Sequence, residues 1–183
     1  MMETRIELAA ICESKFLWTR ELARKVRAQI APQIEELQPG DVLVIDAKGV
    51  EVFDYSFANE FFGKTILSLP VEHSGSFLIV ENLSRYAQEN LEKALESLGL
   101  LTIERNNGQL RLIGKVHPAD IQTFELIYQS IGPITSSAIK DRLGIGINAV
   151  NERLSKLAQM GVVRRKTSIS LAGRGQYEYT SPK

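Results

Sequence analysis

The most informative segment of the chain, residues 42–67, reads VLVIDAKGVEVFDYSFANEFFGKTIL. It opens with an apolar run between the turn residues Pro39-Gly40 and Gly49, and such a run is typical of a strand buried on both faces of a sheet. A helix is expected to begin near Asp54-Tyr55-Ser56, where either Asp54 or Ser56 can cap its first turn. The segment therefore predicts a strand, a turn and a core-facing helix. The apolar side of that helix carries Ala58, Phe61, Phe62, Ile66 and Leu69.

The flanking sequence repeats this alternation of strands and helices. Residues 76–81, SFLIVE, predict a second buried strand, Ser84 can cap the helix that follows, and Gly99 can end it. A further strand at residues 100–104 leads into Asn106-Asn107-Gly108, whose residues tolerate the positive φ of a tight hairpin turn. We therefore predict an α/β fold with a mixed sheet, in which the two most apolar strands are central and covered on both sides. The helical core stripes comprise Leu22, Val26, Ile30, Ile34 and Leu37, and later Ala87, Leu91, Ala94, Leu95 and Leu98.

The amino-terminal residues carry three further signals. Residues 5–12 have a β-compatible pattern, and residues 16–18 are expected to extend that strand or to pair with it. Thr19 is the expected N-cap of the first long helix. Pro32 lies inside the apolar stripe of this helix and removes a backbone donor, so we expect a kink or a restart there, with Pro32 in the first turn.

Composition excludes several classes of protein. The chain has 183 residues, of which 44% are hydrophobic and 24% charged, close to the average of globular proteins. No apolar run approaches the roughly 18 residues of a membrane-spanning helix, and the start carries acid instead of a secretory signal pattern. The single cysteine, Cys12, excludes an intrachain disulfide framework and fits a reducing compartment. We therefore expect a cytoplasmic protein with no membrane association.

The residue pattern favours no enzyme class. No strand is followed by a glycine-rich phosphate-binding loop, and His73 and His117 lie apart from further metal-ligating residues. Asp46 and Asp54 flank the Gly49 turn. Paired acids can perform general acid and base catalysis, but a strand end and a helix cap explain these two more simply. We therefore expect no catalytic site, no metal site and no cofactor.

Seven positions of the central segment match a known pattern: a buried strand that ends in Asp, then Gly-Val, then Ser-Phe-Ala at the start of a helix. They are Asp46, Gly49, Val50, Ser56, Phe57, Ala58 and Glu60. On these positions, residues 5–113 resemble the STAS-like group, which is related to sulphate-transporter and anti-sigma-factor-antagonist domains. The resemblance implies signalling through a protein partner, with Ser56 as the acceptor of phosphate from an anti-sigma-type kinase. A capping hydroxyl is the alternative role of Ser56, and Tyr55 and Phe57 depart from the usual Asp-Ser-Ser-Gly-type surroundings.

A second unit is expected to begin after residue 114, because Val116-His117-Pro118 places a proline where a new helix can start. The balance of charge changes at the same point. Residues 1–117 carry 13 Lys and Arg against 17 Asp and Glu, whereas residues 118–183 carry 9 against 5. The predicted domains are therefore residues 1–114 and residues 115–183.

The second unit contains a pattern of helices, turn and ribbon. A short helix, the turn Gly144-Ile145-Gly146 and a helix over residues 147–160 are followed by residues 162–167 and 176–180, which can pair as a β-ribbon. Residues 121–180, through ITSSAIKDRLGIGINAVNERLSKLAQMGVVRR, resemble the winged helix-turn-helix regulators. The resemblance implies a small α+β domain that binds double-stranded DNA.

In such domains the exposed face of the second helix reads base edges, while the wing contacts the phosphate backbone. Asn148 and Asn151 are the first candidates for readout, because asparagine can bond adenine edges bidentately. Lys156 on the same helix can reach phosphate or guanine. The expected phosphate contacts of the ribbon are Arg164, Arg165, Lys166 and Arg174.

The combined expectation is a DNA-binding transcriptional regulator of a prokaryotic cell, whose STAS-like domain receives a signal through a protein partner. A palindromic DNA site would require a homodimer. The alternative is a protein-interaction adaptor in an anti-sigma-type partner-switching pathway that binds no DNA. A net charge of zero and Glu152 on the second helix favour the adaptor, whereas the basic ribbon favours DNA.

Overall fold

The structure, a computed structural model, describes residues 2–170 and 172–183. The strands are β1 (Glu3–Glu7), β2 (Phe16–Leu17), β3 (Val42–Asp46), β4 (Val52–Phe53), β5 (Phe77–Glu81), β6 (Leu101–Asn106), β7 (Gln109–Gly114), β8 (Ile134–Thr135), β9 (Arg164–Ile169) and β10 (Gly175–Thr180). The helices are α1 (Leu8–Cys12), α2 (Arg20–Glu35), α3 (Tyr55–Ala58), α4 (Lys64–Glu72), α5 (Arg85–Leu98), α6 (Pro118–Gln129), α7 (Ser136–Leu143) and α8 (Ile147–Gln159), and a π-helical turn, Asn59–Gly63, joins α3 to α4. None of the described helices is both long and apolar enough to cross a membrane.

A five-stranded mixed sheet with the order β1-β3-β5-β6-β7 forms the centre of the molecule. β1, β3, β5 and β6 run parallel, and β7 returns antiparallel to β6. The connecting residues Asn107 and Gly108 have φ values of 50° and 77°, which this residue pair tolerates. All residues of β3 and β5 are buried. The predicted mixed sheet, its hairpin and its two central strands are therefore confirmed.

One face of this sheet is covered by α2, by the continuous helix from α3 to α4, and by α5. Ile6, Ile45 and Val80 pack on this side, because alternate residues of neighbouring strands point to the same face. We call this cluster the first core. Its aromatic members from β4 and the helix beyond are Phe53, Phe57, Phe61 and Phe62, whose rings contact one another.

The other face is covered by the residues that follow β7. Val44, Ile79 and Ile103 point to this side and belong to a cluster that we call the second core. The same cluster includes Phe124 from α6 and Leu154 from α8. Residues 118–183, the carboxy-terminal module below, therefore pack directly on the central sheet and share one core with it.

The carboxy-terminal module has the chain order α6, β8, α7, α8, β9, β10. Its three-stranded sheet has the order β8-β10-β9, with β10 antiparallel to both neighbours. Pro118 is the first residue of α6, as predicted, and the Asp120 carboxylate accepts the N–H of the capping residue His117 at 3.0 Å. Gly144, with φ of 65°, ends α7 three residues before α8 begins.

Three expectations for the amino-terminal residues are wrong. The strand ends at Glu7, and residues 8–12 form α1, because a helix lets Leu8 enter the first core. β2 pairs in parallel with β4 instead of β1. α2 continues through Pro32, so the restart and the first-turn position of Pro32 are wrong, because the carbonyl that loses its donor belongs to the exposed residue Ala28 and can bond water.

Candidate nucleic-acid interface

Helix α8 presents the two residues predicted to read bases. Val150, Leu154 and Leu157 are buried and fix the helix on the second core. Their spacing leaves the side of Asn148 and Asn151 turned away from the core, and both residues are exposed. Their amide groups, each able to donate and accept, are therefore available to a partner.

Lys156 lies on α8 but has a partner inside the chain. Its Nζ is 2.6 Å from Oδ2 of Asp120 on α6, and the side chain of Asp120 is only 4% exposed. The same carboxylate accepts the N–H of His117 at the start of α6. Lys156 therefore ties α8 to α6 and neutralises a buried acid.

We call β9, β10 and the residues between them the basic ribbon. Arg165 lies opposite Tyr179, and Lys166 lies opposite Glu178. Successive strand residues point to opposite faces, so Arg165 shares the face of the buried Tyr179, and Arg164 and Lys166 share the other. The three consecutive cations of β9 therefore do not form one surface.

The first two cations of the ribbon are engaged within the chain. The Arg164 side chain lies against Gly40 and Gly75, and a Cβ atom built on Gly40 would be 2.8 Å from its Nη1. The Arg165 guanidinium carbon is 4.8 Å from the ring centroid of Tyr177, which is a cation–π contact. Arg164 therefore joins the basic ribbon to the turns that precede β3 and β5.

Lys166 and Arg174 are the remaining predicted phosphate contacts of the basic ribbon. Both are exposed, Lys166 within β9 and Arg174 near the end of the ribbon. The backbone N–H of Arg174 donates to the Ser170 hydroxyl at 3.0 Å. This bond orders the turn and does not involve the Arg174 guanidinium. The structure thus exposes Asn148, Asn151, Arg165, Lys166 and Arg174, whereas Lys156 and Arg164 are partly buried and engaged within the chain.

Ser56 does not cap its helix, so that alternative is wrong. Oδ1 of Asp54 accepts the N–H of Phe57 at 2.7 Å, and Asp54 has the extended backbone of an N-cap. Ser56 is the second residue of α3 and is half-buried. The N-cap therefore lies two residues before Ser56.

Replacing Asp54 with alanine is expected to lower the free energy of unfolding by about 1 kcal/mol, because Phe57 loses the acceptor for its N–H. Urea unfolding followed by Trp18 fluorescence measures the change. Ser56→Ala is the matched control, with a change within about 0.5 kcal/mol. Equal losses for the two variants would contradict the assignment of the cap.

A cluster of ion pairs at the carboxyl ends of the central strands was not predicted. Nη1 of Arg5 lies 2.8 Å from Asp46 and 3.0 Å from Glu81. Nη1 of Arg105 lies 2.5 Å from the second oxygen of Glu81. The strand registers place the cluster on the same sheet face as the second core. Its signal in the sequence is the charged residue that follows each apolar run.

Asp46 is held as a carboxylate by several donors. Burial raises its pKa, but the Asn82 amide, the Lys48 N–H and Arg5 together hold the pKa below its ordinary value. The Asn82 and Lys48 donors both lie 2.8 Å from Oδ1. Asp46 is therefore a stable anion that joins strands. Among residues 2–170 and 172–183, no three or more His, Cys, Asp and Glu side chains come together as metal ligands.

Comparison with known proteins bears on residues 2–117, the α/β unit that contains the central sheet. No curated protein matches the chain. The model of a family described as "STAS-like domain of unknown function (DUF4325)" matches residues 23–88. The matched range runs from within α2 to the first turn of α5 and includes β3, β5 and Ser56. The central part of the α/β unit, residues 23–88, is therefore STAS-like.

Proposed function

We propose that the chain is a DNA-binding regulatory protein whose carboxy-terminal module is a winged helix-turn-helix domain. The observation that carries this proposal is the order α6, β8, α7, α8, β9, β10 together with the sheet order β8-β10-β9. This arrangement joins α7 and α8 by a three-residue turn and sets a two-stranded ribbon directly after α8. In helix-turn-helix proteins the second helix of the pair enters the major groove, and in the winged forms the ribbon meets the backbone.

The proposal assigns separate roles to the exposed residues. Asn148 and Asn151 contact base edges, because each side-chain amide can form two hydrogen bonds with the edge of one adenine. Lys166 and Arg174 contact phosphates, which position the domain without reading sequence. Lys156 has no DNA contact in this proposal, because Asp120 holds its ammonium group.

The STAS-like part receives the signal in this proposal. A protein partner, of the anti-sigma kinase type or another, would act at the α3 region around Ser56. Phe57 and Ala58 of α3 are in the first core, against the same sheet whose other face carries the carboxy-terminal module. A shift of that sheet would therefore move α8, because packed cores transmit strain. The proposed output is a change in DNA affinity, in a prokaryotic transcriptional regulator.

Removing the two accessible ribbon cations is expected to weaken DNA binding. The variant Lys166→Gln/Arg174→Gln should bind a fluorescent mixed-sequence duplex at low salt with lower affinity, and its salt slope should be smaller by about one per lost phosphate contact. Fluorescence polarisation of the full chain measures both quantities. The matched control is Arg20→Gln/Lys64→Gln, which removes the same two kinds of exposed cation outside the module. An equal loss in the control would attribute binding to net charge and contradict the proposed contacts.

A second candidate is the protein-interaction adaptor without DNA binding. The rings of Phe16 and Trp18 stack with centroids 6.3 Å apart, and each residue is about half exposed, at 47% and 48%. They lie beside the start of α3, because the N–H of Thr19 donates to Asp54 at 3.4 Å. Exposed aromatic pairs favour protein contacts. Failure of the wild-type chain to bind any duplex at low salt would favour this candidate.

A further inference from the structure

We propose that a cleft between the carboxy-terminal module and the central sheet binds a small phosphorylated molecule. The cleft has a volume of about 550 Å³, which falls within the range of small-molecule sites. One wall is the segment around Pro70–Ser76, which leads into β5, and the other is the end of α8 with the start of β9. A ligand in the cleft would therefore touch both parts of the molecule.

The lining of the cleft is suited to an anion. It includes Arg164 and Arg165, and none of its described lining residues is Asp or Glu. Ser74, Ser155 and Gln159 add neutral donors. Guanidinium groups bind phosphate oxygens bidentately, and hydroxyl and amide donors complete such sites.

The Arg164 side chain packs against two glycines. Gly40 and Gly75 have φ values of 103° and 86°, and the Gly40 N–H donates to the Gly75 carbonyl at 2.7 Å. A Cβ on Gly75 would be 3.3 Å from Cγ and Nε of Arg164, so larger residues would displace the side chain. None of the ion pairs within the described ranges includes Arg164. The fold thus positions a guanidinium at the cleft and supplies no carboxylate to neutralise it.

The ends of α4 and α8 oppose the charge of Arg164. Both helices present their carboxyl ends near the cleft, through Pro70 and Val71 and through Ala158 and Gln159. Each end carries about half a negative charge, and the Arg165 guanidinium stacks on Tyr177 on the other face of the ribbon. The preference for an anion therefore depends on the directed donors of the Arg164 side chain and not on a net positive charge.

Two other clefts lack this selectivity for anions. The cleft between α2 and α4 includes Glu35 and Glu72 beside its arginines. The cleft between α5 and α8 includes Glu96, Asp120 and Glu152. Carboxylates repel phosphate, so the cleft at Arg164 is the better anion site.

Binding is tested on the full chain by isothermal titration calorimetry with inorganic pyrophosphate, at low salt. The wild-type chain is expected to bind with a dissociation constant below about 1 mM. Arg164→Gln and Gln159→Glu should each weaken binding by about tenfold or more, because one removes a cation and the other adds a carboxylate. Their controls are Arg142→Gln on α7 and Gln122→Glu on α6, at exposed positions outside the cleft, and both should bind as wild type.

The outcomes separate a small ligand from DNA phosphate. Loss of pyrophosphate binding in Arg164→Gln, with an unchanged salt slope for duplex binding, supports the proposal. If the salt slope of duplex binding becomes shallower by about one in Arg164→Gln, this cation contacts DNA phosphate, and the proposal of a small ligand is overturned. The absence of heat in the wild-type titration up to about 10 mM pyrophosphate, or equal loss in the controls, would also overturn it. The titration needs no DNA, so its failure is distinct from failure of the proposed function.

Discussion

Replacing Phe124 with alanine is expected to lower the free energy of unfolding by about 3–5 kcal/mol. The Phe124 side chain is 1% exposed and lies in the second core with Val44 and Ile79 of the central sheet. A cavity at this position removes contacts from the carboxy-terminal module and from the sheet face beneath it. Because the two parts share this core, we expect both to lose stability in one transition.

Urea unfolding with two probes measures this loss. Trp18 fluorescence reports the amino-terminal part, because Trp18 is the only tryptophan of the chain, and far-ultraviolet circular dichroism reports the helices of both parts. The two midpoints should move together in Phe124→Ala. Ile131→Ala is the control, because Ile131 is fully exposed at 106%, and its change should stay within about 0.5 kcal/mol. An early dichroism transition with an unchanged Trp18 midpoint would contradict the shared core.

Replacing Arg5 with methionine is expected to lower the free energy of unfolding by about 2–3 kcal/mol at pH 7. Arg5 is the common partner of Asp46 and Glu81, whose side chains are only 9% and 10% exposed. Removing one partner of a fully buried ion pair costs roughly 3–5 kcal/mol, and the 37% exposure of the Arg5 side chain lowers this figure through solvent screening. Arg85→Met is the control, because Arg85 pairs with Glu89 on the surface, and it should cost less than about 0.5 kcal/mol.

The cost of the same variant should shrink in acid. The pKa of Asp46 is held low in the folded chain, so its contribution to stability is complete above the unfolded value of about 3.9 and is lost as the pH falls through the folded pKa. Without Arg5 the folded pKa moves up toward the unfolded value, so less stability is lost on acidification, and the difference between Arg5→Met and wild type narrows as the pH falls below about 4. Urea unfolding at a series of pH values from about 7 to 2 measures this difference. A variant Arg5→Met no less stable than Arg85→Met at pH 7, or a cost that does not shrink in acid, would contradict the contribution of the ion-pair cluster.

The elements that the sequence predicted correctly depend on local patterns. The apolar runs of β3 and β5 and the Asn107-Gly108 turn are each readable within a few residues. The missed elements are too short or depend on distant partners. α1 has five residues, fewer than two helical turns, so periodicity cannot reveal it. β2 pairs with β4, whose residues lie far along the chain, and no local signal encodes that pairing.

The residues of the candidate site also differ in whether local patterns predict their surroundings. The exposure of Asn148 and Asn151 follows from the apolar spacing of α8, which the sequence displays. The ion pair of Lys156 joins residues 36 positions apart, and the Arg164 side chain packs against Gly40 and Gly75, which lie far from it in the sequence. The first contact arises from packing of α8 on α6 within the carboxy-terminal module, and the second from packing of that module on the central sheet. Local sequence patterns specify neither.

The most direct test of the account is the salt dependence of duplex binding by the wild-type full chain. Fluorescence polarisation with a mixed-sequence duplex, over salt concentrations from about 20 to 200 mM, gives the logarithm of the affinity against the logarithm of the salt concentration. If Lys166 and Arg174 contact phosphates, the plot should fall linearly with a slope of about −2 or steeper. The absence of binding at the lowest salt, or a slope near zero, would contradict DNA binding by the carboxy-terminal module.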